Sequence, residues 1–468
     1  MLRAVHDRDA YANLALPALL TEWSLSGRDA AFATELCYGT LRATGTLDAV
    51  LSASSHRPLS KMDKTVRDAL RLGVYQLLYT RVPAHAAVST TVALVRSAGG
   101  HRSASFANAV LRRVAGNDLA GWLDLIAPAG SRDPLARTAV RHAHPTWIVR
   151  AWRDALAAGA DQPETSGEDD AEPDAESAAE PDAESAAELE AALSADNERP
   201  AVHLAVRPGR IERAELSERV DGTPGRWSPY AVYLPSGAPG DVPEIRNGRA
   251  GVQDEGSQLV ASAVAAAPVT GPDRSWLDLC AGPGGKAALL GGLAGIRGAE
   301  LTAVEVTEHR ATLVERAVSG LPVEVVRADG RTVGEHPALP AGGFDRVLVD
   351  APCTGLGALR RRPEARWRRQ ESDLPDLVAL QQQLLSAGCR AVRPGGVVGY
   401  VTCSPHLAET RGALDTLLAD PPVPLELLDA RALMPTGMPG LGEGPAVQLW
   451  PHRHGTDAMF LALLRRTA

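Results

Sequence analysis

Two cysteines end apolar runs that read as buried strands. Phe344 to Asp350 leads into Ala351-Pro352-Cys353, and Val397 to Cys403 leads into Ser404-Pro405. Apolar runs that alternate with helical patterns predict a parallel sheet, and open α/β sheets bind ligands outside the carboxyl ends of their strands. Although 50 residues apart in the chain, the two thiols can therefore face one cleft and act on one bound molecule. Asp350 stands three residues before Cys353. Cys37 and Cys389 read instead as small buried hydrophobes.

A second cluster suits a nucleoside. The run Trp276-Leu277-Asp278-Leu279-Cys280 passes into Ala281-Gly282-Pro283-Gly284-Gly285-Lys286, a glycine loop between a strand and a helix that lets backbone approach a ligand closely. It is not a P-loop: Cys280 stands where the first glycine is required, and Ala287 where Ser or Thr would bind magnesium. Nor does it have the glycine spacing of a dinucleotide loop. Glu305 lies 20 residues past Gly285, near the spacing of a ribose-binding carboxylate, and Asp329 closes a third strand. Asp278, a short loop and Glu305 suit a nucleoside without a pyrophosphate, and S-adenosylmethionine fits that description.

The elements that must position these residues begin at about 252. From there to 468 the strand runs Trp276 to Cys280, Leu301 to Val306, Val323 to Asp329, Phe344 to Asp350 and Val397 to Cys403 alternate with helical patterns, predicting a parallel sheet covered on both faces. Residues 199–251 hold short strand-like runs, Ala201 to Val206 and Tyr230 to Leu234, in a small α+β element. Residues 1–155 read as an all-helical bundle, with helical spacing at 28–42, 66–78, 84–98 and 104–115 and a break at Gly99-Gly100. Between them, 156–198 read as a disordered linker in which Ala-Glu-Pro-Asp-Ala-Glu-Ser-Ala occurs twice, at 171–178 and 179–186; only 187–194 has the makings of a marginal helix.

The net charge of −9 argues against a nucleic-acid partner until it is divided. Residues 1–155 carry +7, 156–200 carry −14 and 201–468 carry −2. A basic run, Arg360-Arg361-Arg362 with Arg366, Trp367, Arg368 and Arg369, suits RNA phosphates and a stacked base, against the plainer reading of a solvated helix face. Five widely spaced cysteines form no disulfide framework, and no C-x-x-C pair suggests zinc. His452 and His454 have no third ligand close in sequence, so no metal is expected and they read as RNA contacts or core hydrogen bonders. No apolar run is long enough to span a membrane and Met1 to Asp7 lacks a signal peptide's core, so the expectation is a cytoplasmic monomer.

Asp278 to Lys286, Asp350 to Thr354 and Thr402-Cys403-Ser404 together resemble the RsmB (Sun/Fmu) family of RNA cytosine-C5 methyltransferases, as does Gln253 to Leu259 before them. Phe32 to Arg42, Pro83 to Val88 and Asn108 to Arg113 are similar to the NusB-type RNA-binding helical domain. The likeness covers nearly all of the chain except the acidic linker. It implies a NusB-like bundle, a small RNA-binding element and a Rossmann-like class I methyltransferase domain. The implied substrate is 16S rRNA or a small-subunit assembly intermediate, and the implied methyl donor is S-adenosylmethionine. Cys403 matches the family's nucleophile, and Cys353 the cysteine that helps release methylated RNA; chemistry alone leaves either thiol as the attacker. The loop Cys280, Ala281, Gly282, Pro283, Gly284, Gly285 and Lys286 is implied to hold the donor, with Glu305 at its ribose, Asp329 at its adenine and Asp350 at the donor or the cytosine edge.

The chain also departs from the family pattern. It opens at Met1 where an earlier half of the first helix is expected, and Pro405 to Thr410 replaces a more acidic segment in which Glu409 can stand in. Ala458-Met459 replaces a more usual Gly-Phe. Two other functions remain open to the sequence: a non-catalytic RNA-binding or antitermination factor, and a cytosine-C5 methyltransferase acting on tRNA or large-subunit rRNA.

Overall fold

The spacing Val66, Leu70, Val74 puts three apolar side chains on one face of the helix Lys64–Tyr79, whose start is capped by Asp63 through the Thr65 and Val66 N–H groups. That face packs against Leu47, Val50 and Leu51 of the helix Gly27–Ser54 and against Val110 and Leu111 of Ala84–Val114. The break expected at Gly99-Gly100 is a single non-helical residue, Gly100 (φ 76°, ψ −174°), inside this last helix.

The computed structural model describes residues 1–8, 10–159 and 183–468. They divide into a helical unit, Met1–Arg150 with Leu193–Glu198 and Leu359–Arg369, and a second unit built on sheets. Most of the acidic linker lies outside the described residues, with the whole of the first octapeptide copy and the first half of the second. Its last part is a correction: Ala183–Asn197 is a helix with Leu189, Ala192 and Leu193 buried, well beyond the marginal helix expected at 187–194. Composition hid it because two leucines four residues apart, and one paired aspartate, suffice to seat a short helix on a core.

The second unit holds two sheets. The small one is antiparallel, in the order β2-β3-β1-β4, from β1 (Val202–Val206), β2 (Thr223–Pro224), β3 (Ala231–Leu234) and β4 (Ala250–Val252). The large one contains β5 (Ser275–Asp278), β6 (Glu300–Val304), β7 (Val323–Val326), β8 (Phe344–Asp350), β9 (Val392–Thr402), β10 (Leu425–Leu428), β11 (Val447–Gln448) and β12 (Phe460–Arg466). Its order is β10-β12-β9-β8-β5-β6-β7, with β11 paired to β12.

The five strands expected from sequence run parallel. An antiparallel edge, β12 on β9 and β10 on β12, corrects the expectation of a wholly parallel sheet. Along β5 and β8 the side chains alternate between two cores. Trp276 and Leu348 face the helices Glu255–Ala266 and Gly285–Ile296, and Leu277 and Val347 face Leu374–Ala391. Covered faces explain why these strands read as continuous apolar runs.

Candidate active site

The carboxyl ends of β5, β6, β8 and β9 supply the site, all within the second unit. At the end of β5, Asp278 is fully buried, and its Oδ2 has no hydrogen-bond partner. Burial, reinforced by the Asp350 charge, pushes its carboxyl up to about 7. The loop that follows needs its glycines. A Cβ on Gly282 would lie 2.2 Å from the Glu305 carboxylate, and Gly284 has φ +104° with Ala317 and Val314 pressed against it. Glu305 is buried at the end of β6, accepts the Thr307 N–H at 2.9 Å, and has Arg310 Nε at 3.6 Å. Arg310 also donates to the Gly282 carbonyl oxygen and so ties the loop to Glu305.

Gln253, in the segment that resembles the family, carries no signal of a role in the sequence. It sits beside Gly285, and its Oε1 is buried without a partner. Two buried acceptor oxygens left open around a glycine-lined loop fit a ligand that brings its own donors, as the ammonium and hydroxyl groups of S-adenosylmethionine do.

Lys286 starts the next helix and reaches Asp350 Oδ2 at 2.8 Å. Burial works against its charge, but Asp350 and then Cys403 more than offset this, so its pKa lies above the ordinary value. The ammonium thus links the glycine loop to the cysteines. The two sulfurs, Cys353 Sγ and Cys403 Sγ, are 3.4 Å apart, within sulfur hydrogen-bond reach and well beyond the about 2 Å of a disulfide. The Cys353 thiol is held far above the ordinary 9, first by its hydrogen bond to Cys403 and then by burial.

The remaining candidates fall into place unevenly. Asp329 is half-buried at the end of β7, and Arg331 engages both of its oxygens, at 2.6 and 3.0 Å, an engagement that an adenine amino group would have to share. Cys280 follows Asp278, and burial together with the carboxylates of Asp278, Asp350 and Glu305 holds its thiol well above the ordinary value. That suits packing, not attack.

Two members of the basic run are a correction. Arg366 is fully buried, with Nη2 on Asp196 Oδ2 at 2.7 Å and Nη1 on the Arg42 carbonyl oxygen at 3.0 Å. Arg368 donates to the carbonyl oxygens of Val5 and Ala10. These two straps hold the helical unit together and are neither a phosphate surface nor a solvated helix face; Trp367 alone among the three is well exposed. His454 is the core hydrogen bonder foreseen, accepting from the Trp450 N–H on Nδ1 and donating from Nε2 to the Pro439 carbonyl oxygen. His452 faces Glu188. Among the described residues no group of three His, Cys, Asp or Glu side chains is arranged to hold a metal, and no helix is long and apolar enough to cross a membrane.

A Rossmann-like sheet with a glycine-loop nucleoside site beside a pair of thiols defines a methyltransferase that draws on S-adenosylmethionine. The comparisons agree. The family model described as 16S rRNA methyltransferase RsmB/F matches residues 265–465, and the NusB family model matches residues 1–116. A Mycobacterium tuberculosis protein described as a methyltransferase is 56% identical over 465 residues, 99% of this chain and 94% of that one. Ribosomal RNA small subunit methyltransferase B of Salmonella paratyphi B is 31% identical over 463 residues, 96% of this chain and 93% of that one. The chain belongs to the RsmB/F family of 16S rRNA methyltransferases. The crystal structure of PH0851 shares the fold at a TM-score of 0.75 and 20% identity, covering 96% of this chain and 93% of that one. That of NSun6 from Pyrococcus horikoshii with SFG does so at 0.51 and 17%, covering 60% and 95%.

Proposed function

We propose that the protein transfers a methyl group to C5 of a cytosine in 16S rRNA through a covalent adduct between Cys403 and C6. The observation that carries this reading is the pair of sulfurs 3.4 Å apart, with the Lys286–Asp350 ion pair between them and the glycine loop. C5 of cytosine is a poor nucleophile. A thiolate that adds to C6 forms an S–C6 bond and makes C5 enamine-like, splitting one hard substitution into easier steps. S-adenosylmethionine, when bound, supplies an electrophilic methyl group on a sulfonium. Lys286 stabilises the Cys403 thiolate before attack, and Asp350 orients that ammonium. After methylation a base removes the C5 proton, the S–C6 bond breaks, and the electron pair returns to Cys403 as thiolate; Cys353 assists this release.

In the same reading Asp278 and Gln253 take the donor's ammonium end, the loop 280–286 carries its body, Glu305 holds its ribose hydroxyls and Asp329 its adenine amino group. Residues 1–155 and 199–251 bind the RNA, and 252–468 carry the chemistry.

Bisulfite sequencing of 16S rRNA from a deletion strain is expected to show one cytosine that has lost protection, regained with the wild-type gene. Loss at a tRNA or large-subunit cytosine instead would move the target. Cys403→Ala is expected to abolish transfer, and Cys353→Ala to accumulate covalent RNA adduct on denaturing gels. Normal turnover by Cys403→Ala sinks the assignment of the nucleophile.

A further inference from the structure

Glu409 is fully buried in the short turn that follows Cys403, and its carboxylate bears on the relative position of the two cysteines. Its Oε1 accepts the Thr354 N–H at 2.7 Å, and its Oε2 accepts the Thr354 hydroxyl. Gln381 Nε2 donates both to Glu409 Oε1, at 3.0 Å, and to the Pro352 carbonyl oxygen, at 2.9 Å. The residues immediately before and after Cys353 are therefore gripped, one by Gln381 and the other by Glu409. On the other side, the Glu409 carbonyl oxygen accepts the Tyr400 hydroxyl at 2.8 Å, and Tyr400 lies on β9, the strand that ends in Cys403. A further bridge, Thr354 Oγ1 to Ser404 Oγ at 3.1 Å, joins the residues that follow the two cysteines.

The chemistry of the bracket calls for a carboxylate. Three donors converge on two oxygens, and a carboxylate accepts from all three; an amide keeps one of those oxygens and turns an NH2 toward the Thr354 hydroxyl, which then loses its acceptor on residue 409 and must reorient. Cys403 has separate support from its strand, since Thr402 before it is paired to Phe460 of β12, while its carbonyl oxygen accepts the Gly357 N–H, at 2.9 Å, from the loop that also carries Cys353. Cys353 sits in a loop beyond its strand, held by Gln381 and Glu409.

We infer that Glu409, seated by Gln381, is a positioning residue that sets Cys353 against Cys403 for the release step. This rests on the release role of Cys353 proposed above. Loss of the bracket lets the Cys353 loop drift while Cys403 keeps its place, so the enzyme forms the adduct, methylates it and stalls.

The test compares Glu409→Gln, Thr354→Val, Cys353→Ala and wild type on an RNA fragment carrying the target cytosine. Single-turnover methyl transfer, multiple-turnover rate, adduct on denaturing gels and S-adenosylmethionine affinity by calorimetry are read together. Glu409→Gln is expected to lose about 100-fold in multiple turnover, the scale of a misplaced group. It should accumulate adduct as Cys353→Ala does, with single-turnover transfer and donor affinity close to wild type. Thr354→Val, which removes the hydroxyl and keeps two of the three donors, its own backbone N–H and Gln381 Nε2, should accumulate less, and it carries the test if Glu409→Gln does not fold. Glu409→Gln that turns over normally, or that loses adduct formation and donor binding together, overturns the inference. Failure of Cys353→Ala to trap adduct would overturn the underlying release role instead.

Discussion

Asp278 has one oxygen held by the Cys280 N–H at 3.4 Å and the other by nothing, in a place closed to water. Its carboxyl rises from 3.8 to about 7, first through burial and then through Asp350. Because the folded pKa lies above the unfolded one, the stability this group contributes is complete below about pH 4 and is lost as the pH rises through 7. The rise corresponds to about 4 kcal/mol. Asp278→Asn is therefore expected to unfold at a higher temperature than wild type at pH 8, with the gap shrinking toward pH 5; a gap that does not change with pH contradicts the account. The same substitution should weaken S-adenosylmethionine binding, since the proposed function gives this carboxylate the donor's ammonium. Asp278, Lys286, Cys353 and Cys403 were all visible in the sequence, because each lies at or just past a strand end. Gln253 and Glu409 carry no such signal, because what makes them matter is contact with Gly285 and with Thr354, and no spacing rule announces either.

At the scale of elements, the helix Ala183–Asn197 and the segment Leu359–Arg369 meet in a buried ion cluster. Asp196 Oδ2 accepts from His144 Nε2 at 2.9 Å and from Arg366 Nη2 at 2.7 Å, and all three side chains are buried. Burial lowers the His144 pKa to about 4, so the imidazole is neutral at pH 7 and one net positive charge faces one negative. Removing one partner strands the other in a place without water. Asp196→Ala is expected to destabilise the protein by about 3–5 kcal/mol, while Asp196→Leu combined with Arg366→Met should recover most of that loss. Thermal unfolding of the single and double variants checks this; equal losses in the two would remove the ion cluster as the cause. Asp196 stands in an acidic tract and Arg366 in a basic one, and neighbours in sequence carry no sign of a pairing across 170 residues.

At the scale of the whole molecule, the charge is partitioned. Residues 160–182 contain ten acidic side chains and no basic one, so without them the net charge moves from −9 to +1. RNA is a polyanion, and a tethered acidic segment competes with it for basic surface. Excising 160–182, while leaving the helix from Ala183 intact, is expected to raise RNA affinity by a factor of about 2–5 at low salt, with the difference fading as the Debye length falls to about 8 Å near physiological ionic strength. Weaker binding by the shortened chain at low salt would reverse the role assigned to the segment.

The sequence by itself determined the order of parts, a helical N-terminal half and an α/β C-terminal half, together with the glycine loop and the thiol pair. These are legible because they are local: helical spacing, glycines after a strand, and cysteines at strand ends all lie within a few residues of what they signal. Tertiary structure alone decided which acids and bases meet. It drew Arg366 out of a supposed RNA surface into the core, added an antiparallel edge to the sheet, and set Glu409 and Gln381 around Cys353. Whether a buried polar group finds its partner depends on chain that returns from far away, and a pattern read along one dimension carries no record of that return.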